Sequence, residues 1–261
     1  MGIFTRTRLD QVWGGGYVHP LNIAFRRALA WVPPGPGRML EVGCGAGRFL
    51  RTIGRRRPGW ELHGCDLSAV SLRAGRSFPE PVEYVLADAH NLPYRDASFD
   101  FVLMVDVLEH LPRPEQALAE AFRVLRPGGR FHLLVPCEGQ PLTLYWLTDR
   151  LKVGADLKER HGGHIQRFTH ADILRLLRGA GFRVRNVRYS MHPVGQLKDF
   201  LFYVEREGWA GWLRRNLPFK LFIRVLWVIA HLESTLLGRV SLSAVAMHVS
   251  CERPKSPCCG S

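Results

Sequence analysis

The sequence predicts a doubly wound α/β fold, in which helices cover both faces of a mostly parallel sheet. Short apolar runs alternate with helical patterns, and the first of these runs breaks into a glycine loop. A later run, Phe99–Val105, is apolar after Asp100, which is typical of a central parallel strand buried on both faces. The 261 residues, 46% of them hydrophobic, suffice for one large domain. We expect that domain over residues 1–251 and a disordered tail over residues 252–261.

The composition is strongly basic. The formal net charge is +13, from 36 Lys and Arg residues against 23 Asp and Glu residues. Such a surface attracts nucleic acid, anionic lipid headgroups or acidic substrates without choosing among them. The arginine excess fits a GC-rich genome equally well.

The six cysteines form no C-x-x-C pair, and the start of the chain carries no secretory signal. These features predict a reduced cytoplasmic protein. The adjacent Cys258 and Cys259 make a poor metal chelate on their own.

The glycine loop is the first sign of a ligand site. Residues 21–32 form an amphipathic helical pattern that ends at Pro33, and Met39–Val42 is then a buried strand. The three glycines after that strand permit positive φ angles and close approach of a ligand to the backbone. The helix that follows directs its N-terminal amides at this ligand. A dinucleotide fingerprint needs a third glycine where Arg48 stands, so the pattern Glu-x-Gly-x-Gly-x-Gly from Glu41 favours another cofactor.

The next two strands run into carboxylates. Glu61–Asp66 is the second strand, and Asp66 lies one βαβ step beyond the loop, where a carboxylate accepts both hydroxyls of a ribose. Alternatively, Asp66 only ends the strand before Ser68 caps the next helix. The third strand, Val82–Ala87, is followed directly by Asp88.

The later elements follow the same alternation. Pro114 opens a helix, and Thr169 with Asp172 resembles a capping box at the start of another. The remaining strands are predicted over Arg130–Val135, Phe182–Tyr189 and Ser241–Cys251.

Four phrases of this sequence resemble one family. They are E-V-G-C-G-A-G from Glu41, A-D-A-H-N-L-P from Ala87, D-V-L-E-H-L from Asp106 and R-V-L-R-P-G-G-R-F from Arg123. They identify the chain as similar to class I S-adenosylmethionine-dependent methyltransferases, in particular the type 11 group that contains ubiquinone and menaquinone methyltransferases. The resemblance implies a Rossmann-like, seven-stranded sheet with helical insertions. Its last strand would enter antiparallel, between strands five and six.

The resemblance also implies the cofactor, S-adenosyl-L-methionine, with S-adenosyl-L-homocysteine as product. Glu41 would approach the methionine amino group, Asp88 the adenine amino group, and residues 105–106 would contact the cofactor through their backbone. His110 would either orient a substrate or hold its loop. With Asp66 included, the candidates for cofactor binding are Glu41, Gly43, Cys44, Gly45, Gly47, Asp66, Leu67, Asp88, Ala89, Val105, Asp106 and His110.

The acceptor side is predicted in three less regular segments. Residues 1–37 would form a helical lid over the cleft, with Tyr17 and His19 as candidate lining residues. Residues 136–168 would form a roof over the methyl group, with Tyr145 and Trp146 as substrate contacts.

Two histidines of the roof, His161 and His164, are the candidate catalytic residues. His170 follows closely, but no acidic or cysteine partner has the usual ligand spacing and methyl transfer needs no metal. We therefore expect no metal site.

Residues 190–240 form the third segment. The pattern predicts a helix over residues 218–232 that is too polar to span a bilayer. Trp209 and Trp212 beside basic residues fit a helix lying in a membrane interface. Alternatively, residues 209–237 pack on their own domain or form a homodimer contact.

The predicted function is S-adenosylmethionine-dependent methyl transfer, by in-line displacement, to a small acceptor that is apolar, lipid-like or phenolic. A nucleic-acid or protein methyltransferase is the alternative, but the N/D-P-P-Y/F signature and a separate RNA-binding module are missing from the sequence. These omissions disfavour a nucleic-acid partner. A non-catalytic cofactor-binding protein is the third hypothesis.

Overall fold

The structure, a computed structural model, describes residues 17–18, 22–152, 157–206 and 217–255. Its centre is a seven-stranded sheet in the order β3-β2-β1-β4-β5-β7-β6. The strands are β1 Gly37–Val42, β2 Trp60–Asp66, β3 Val82–Leu86, β4 Phe99–Val105, β5 Leu125–Pro136, β6 Arg183–Ser190 and β7 Ala246–Glu252. The first five pair in parallel, and β7 pairs antiparallel with both β5 and β6. The predicted fold and the place of the last strand are therefore confirmed.

Helices cover both faces of this sheet. They are α1 Ile23–Trp31, α2 Arg48–Arg56, α3 Ala69–Arg76, α4 Pro114–Val124, α5 Leu144–Leu151, α6 Leu157–Gly162, α7 His170–Gly179, α8 Pro193–Arg206 and α9 Leu217–Leu236. A short 3₁₀ helix, Leu108–His110, follows β4. Side chains that alternate along the strands build two cores. One lies under α4 and α7, and the other lies under α1, α2 and α3.

Local sequence signals explain where several helices begin. The Asn22 side chain accepts from the Phe25 amide at the start of α1, and Ser68 accepts from Ser71 at the start of α3. Thr169 and Asp172 form the predicted capping box reciprocally. Each of these side chains satisfies an amide that the helix itself leaves without a partner.

Some predicted boundaries are wrong. The last strand starts at Ala246 rather than residue 241, because residues 241–244 form a turn in which Ser243 has φ +55°. Helix α9 continues to Leu236 because Glu233 accepts from two amides at the start of α8. Helices α5 and α8 lie where the sequence analysis assigned no regular element.

Over residues 221–236 of helix α9, whose burial the structure describes, the buried side chains form one narrow stripe of Leu226, Ala230 and Ser234. Its other sides expose large apolar side chains: Leu221, Phe222, Val225, Trp227, Val228, Ile229, Leu232 and Leu236. No helix among the described residues is long and apolar enough to cross a bilayer. The predicted interfacial residues Trp209 and Trp212, like Cys258 and Cys259, lie outside the described residues.

Candidate active site

Two glycines of the loop after β1 are required for packing. The amides of Gly43 and Cys44 both donate to the Cys65 carbonyl, which fixes the loop to the end of β2. A Cβ added to Gly43 would lie 2.3 Å from Val107 Cγ2, and one added to Gly47 would lie 2.2 Å from the Tyr84 hydroxyl oxygen. The Cys44 side chain is buried, so this residue offers only its backbone to a ligand. The sequence pattern is therefore explained in part by the core beneath the loop.

Gly45 differs from its two neighbours. Its amide donates to Asp66 Oδ2 at 2.8 Å, and its φ is +53°. A Cβ built on it meets nothing within 4 Å. The loop therefore presents bare backbone to open space at this point, which is where a cofactor can pack directly against the main chain.

Glu41 lies beneath the loop. It is 3% exposed, and its Oε2 accepts from the Leu50 amide of α2 at 3.3 Å. Burial raises the pKa of this carboxyl from 4.5 to about 8. A cationic group bound beside it would restore its ionised form.

Asp66 ends β2 as predicted. Besides the Gly45 contact, its Oδ1 accepts from the Ser68 amide at 2.8 Å, so two backbone amides fix the carboxylate. Leu67 follows with 59% of its surface exposed. A fixed carboxylate can accept hydrogen bonds from ribose hydroxyls, and an exposed apolar side chain beside it can pack against the attached base.

Asp88 occupies the matching place after β3. Its Oδ1 accepts from the His90 amide at 2.9 Å and lies 2.6 Å from His90 Nδ1. These contacts, the backbone amide first, hold the pKa of Asp88 below its usual value. The side chain is about half exposed while Ala89 is buried. An ionised carboxylate is therefore available to accept from an amino group.

The end of β4 completes this edge of the sheet. Asp106 has φ +53°, its amide donates to the Leu134 carbonyl at 3.1 Å, and its side chain is exposed. Val105 is half-buried beside it. Because β1, β2, β3 and β4 are parallel, the residues after each strand meet along one edge.

Two histidines and two carboxylates lie just past β4 and β5. His164 Nδ1 is 2.9 Å from Glu138 Oε1, and because a carboxylate only accepts, Nδ1 carries the proton. His164 Nε2 is 4.0 Å from Oε1 of the fully buried Glu109. The ring of His110 is 5.0 Å from that of His164, and its Nδ1 is 3.0 Å from the Gly163 carbonyl. Burial lowers the pKa of His110.

This cluster bears on the predicted absence of a metal site. The ligand atoms of Glu109, His110 and His164 all lie within 4.8 Å of one another, a spacing that suits a metal ion. No acidic residue has the usual ligand spacing to His164 in the sequence, but the fold brings Glu109 Oε1 within 4.0 Å of its Nε2. His110, which is also a predicted cofactor contact, lies in this cluster.

The remaining predicted residues are scattered. The Tyr17 hydroxyl donates to Glu80 at 2.7 Å and contacts Arg55 near the end of α2 that is remote from the glycine loop. Tyr17 therefore packs against an arginine and a carboxylate, and its predicted place in the acceptor pocket stays a prediction. His19 lies outside the described residues, and the side chain of His161 is not described.

Tyr145 and Trp146 stand on α5. The buried Tyr145 donates its hydroxyl to Asp199 of α8 at 2.6 Å, so it joins two helices. Trp146 lines a cavity of about 370 Å³ between α5 and α8, together with apolar residues that include Leu147 and Leu197. Among these two predicted contacts, Trp146 is the one the structure places at a cavity.

Sequence reasoning missed Glu109, Glu138 and Arg48. Glu138 stands directly after β5, so the rule that found Asp66 and Asp88 also points to it. Arg48 begins α2, where the carboxylates of Glu41 and Asp106 both act on it. In the sequence, Arg48 is noticeable only because it stands where a dinucleotide-binding loop has its third glycine.

Comparison with known proteins shows which family part of this chain resembles. Residues 40–133 match the family described as "Methyltransferase domain". The ubiquinone/menaquinone biosynthesis C-methyltransferase UbiE of Cereibacter sphaeroides is 31% identical over 162 residues, which are 57% of this chain and 63% of that protein.

Over these residues the chain is similar to methyltransferases of the type 11 group.

Other relatives agree with this domain. Methyltransferase GfsG of Streptomyces halstedii is 36% identical over 99 residues, 36% of this chain and 35% of that protein. The chain thus spans less than two thirds of these curated relatives. The matched domain is of the S-adenosylmethionine-dependent kind.

Solved structures share the fold of most of the chain. A S-adenosylmethionine-dependent methyltransferase from Mesorhizobium loti has a TM-score of 0.58 at 19% identity, covering 89% of this chain and 99% of that one. The geranyl diphosphate C-methyltransferase of Streptomyces coelicolor, solved with Mg²⁺, geranyl diphosphate and S-adenosyl-L-homocysteine, has a TM-score of 0.59 at 13% identity, covering 88% and 79%. The [4+2]-cyclase SpnF scores 0.60 at 20% identity, covering 90% and 80%.

Proposed function

We propose that the protein transfers a methyl group from S-adenosylmethionine to a small apolar, lipid-like or phenolic acceptor by in-line displacement. The observation that carries this proposal is the edge formed by Gly45, Asp66 and Asp88: bare backbone over open space, flanked by two oriented carboxylates. The bound cofactor supplies a methyl group on a good leaving group. Positioning and exclusion of water then provide most of the rate.

Each residue of this edge has a separate binding role. Glu41 holds the amino group of the methionine part, because a cation beside it offsets the cost of ionising a buried carboxyl. Asp66 accepts the ribose hydroxyls, and Asp88 accepts the adenine amino group. Gly43, Cys44 and Gly47 shape the loop, and Leu67, Ala89, Val105 and Asp106 line it.

His164 is proposed as the base when the acceptor must lose a proton. Glu138 holds the proton on Nδ1, which leaves the lone pair on Nε2 for the acceptor. His110 and Glu109 surround this nitrogen. His161 remains a second candidate through its place in α6.

The acceptor class rests on the cavity between α5 and α8. It is lined mainly by apolar side chains, and α5 follows the carboxyl end of β5, the same edge that carries the cofactor residues. UbiE acts in quinone biosynthesis, and the Streptomyces coelicolor neighbour binds geranyl diphosphate; both names suit an acceptor with an apolar part.

We further propose that α9 contacts a lipid surface. Its exposed apolar side chains adjoin the cationic Arg224 and Arg239, and the whole chain carries a net charge of +13. A lipid-soluble acceptor would then be taken directly from the membrane. A homodimer through the same face is the competing outcome.

Activity of the full chain with a reduced quinone tests the proposed reaction. Formation of S-adenosylhomocysteine should require both substrates, and His164→Gln should lower kcat by roughly 10²–10⁴-fold while cofactor affinity is unchanged.

Because we propose no metal, EDTA should leave the rate unaltered. Inhibition by EDTA, restored by a divalent ion, would instead make Glu109, His110 and His164 metal ligands. Tight cofactor binding without product from any acceptor tried, lipid extracts included, would favour the non-catalytic alternative.

A further inference from the structure

A second cavity lies away from the candidate active site. It has a volume of about 500 Å³ and is enclosed by α1, the strands β5, β7 and β6, and the end of α9. We call it the basic cavity, because Arg26, Arg27, Arg188 and Arg239 line it together with His132 and His248. The glycine loop stands at the end of β1, and none of the residues assigned above to the cofactor or the acceptor lines the basic cavity.

The positive charge of the basic cavity is not balanced. Its lining contains no carboxylate, and none of its four arginines forms an ion pair within the described part of the chain. Arg27 donates through Nη2 to the Ser234 carbonyl at 3.0 Å, whereas its buried Nη1 has no hydrogen-bond partner among the described residues. Arg188 donates to Asn186 Oδ1 at 2.6 Å, which is a neutral acceptor.

The floor of the basic cavity adds further unused polar atoms. His132 and His248 are 1% and 2% exposed. His132 Nδ1 lies 3.2 Å from Ser250 Oγ, and His248 Nε2 lies 2.7 Å from Ser190 Oγ. The opposite ring nitrogens, His132 Nε2 and His248 Nδ1, are buried without a partner among the described residues. Such atoms cost free energy unless a ligand or water pairs with them.

The pKa shifts of these groups also indicate unbalanced positive charge in the basic cavity. Burial and the charge of Arg188 lower the pKa of Arg27 to about 10, and burial with the charge of Arg27 lowers the pKa of His132 to about 3. Burial and the charge of Arg27 also lower the pKa of His248. The two histidines are therefore neutral, while Arg27 remains charged and is repelled by Arg188. An anion would relieve this repulsion.

We propose that the basic cavity is a binding site for a phosphate-bearing anion. Guanidinium groups match phosphate oxygens in a bidentate fashion, and neutral histidine and hydroxyl groups donate to the same oxygens. The volume accommodates a diphosphate or a phospholipid headgroup. A headgroup is a natural source because Leu236, which lines the basic cavity, is 81% exposed and continues into the apolar face of α9.

Thermal unfolding of the full chain tests this site. Pyrophosphate should raise the unfolding midpoint above that in sodium chloride of equal ionic strength, since a ligand that binds only the folded state stabilises it. Arg188→Gln should weaken the apparent affinity for pyrophosphate at least about tenfold, and so should Arg27→Gln if that variant folds. Arg178→Gln, an exposed position on α7 outside the cavity, is the control and should behave as the unaltered chain. The proposal would be overturned if pyrophosphate raised the unfolding midpoint of all variants equally. It would also be overturned if neither pyrophosphate nor vesicles containing phosphatidylglycerol bound the chain.

Vesicles separate the two sources of phosphate. If lipid is the source, vesicles containing phosphatidylglycerol should bind the chain, vesicles of phosphatidylcholine alone should not, and Arg188→Gln should reduce the binding. If the ligand is a free phosphate compound, pyrophosphate should bind and Arg188→Gln should leave vesicle binding unchanged. Saturating S-adenosylhomocysteine should not compete with pyrophosphate or with vesicles. The test of the basic cavity therefore does not depend on whether the proposed methyl transfer is correct.

Discussion

At the glycine loop, three residues have positive φ angles, between +53° and +72°, in different surroundings. Gly43 and Gly47 press against Val107 and Tyr84, whereas the position of a Cβ at Gly45 is open. The same backbone conformation therefore serves packing at two positions and leaves room for a ligand at the third.

Alanine at two of these glycines should separate stability from binding. Gly45→Ala should lower the free energy of unfolding by about 1–2 kcal/mol, the cost of a left-handed φ, and abolish detectable cofactor binding. Gly47→Ala pays the same cost and also collides with Tyr84, so it should lose about 1–3 kcal/mol more. Urea unfolding and calorimetric titration measure the two effects. Undiminished cofactor binding by Gly45→Ala would contradict the role given to that position.

The ionisation of Glu41 should make the free energy of unfolding decrease as pH rises. Its pKa is raised from 4.5 in the unfolded chain to about 8 by burial, so between these values the unfolded state ionises while the folded state holds the proton. Glu41 therefore lowers stability progressively as pH rises from 4.5 to 8, by a few kcal/mol in total. Glu41→Gln should remove this slope in urea unfolding at pH 5, 6.5 and 8. The exposed Glu115→Gln is the control, and an identical slope in both variants would show that Glu41 is not responsible.

At the scale of elements, periodicity predicted most of the sheet. Strand β4 has the predicted bounds, because a central strand buried on both faces is a continuous apolar run between polar ends. The last strand was placed too early since the alternation of residues 241–245 continues through a turn. Helices α5 and α8 were missed because contacts such as the Tyr145–Asp199 hydrogen bond stabilise them across 54 residues of sequence.

Helix α9 carries the membrane prediction. The double variant Val228→Ser with Leu232→Ser removes two exposed apolar side chains and leaves the buried stripe of α9 intact. It should reduce flotation with vesicles containing phosphatidylglycerol several-fold, whereas Val70→Ser, also exposed, should not. Unchanged flotation would remove the membrane proposal. A fall in the mass measured by light scattering would identify a homodimer contact instead.

At the scale of the molecule, the residues proposed to bind the cofactor could be grouped from the sequence, because parallel strands bring their carboxyl ends to one edge. Asp66 and Asp88 needed only the strand order to be placed together. The cluster of Glu109, Glu138 and His164 and the basic cavity required the three-dimensional fold. In the basic cavity, Arg27 meets Ser234 across 207 positions, a distance over which no sequence spacing is informative.

Binding of S-adenosylmethionine at the edge fixed by Gly45 and Asp66 is the basis of the proposed function. Calorimetric titration of S-adenosylhomocysteine into the full chain and into Asp66→Ala tests it most directly, with Asp96→Ala, an exposed carboxylate paired to Arg123, as control. We expect saturable binding to the unaltered chain and the control, and a loss of affinity of at least about tenfold in Asp66→Ala, equivalent to about 1.4 kcal/mol. Equal affinity of Asp66→Ala and the unaltered chain, with both proteins folded, would contradict it.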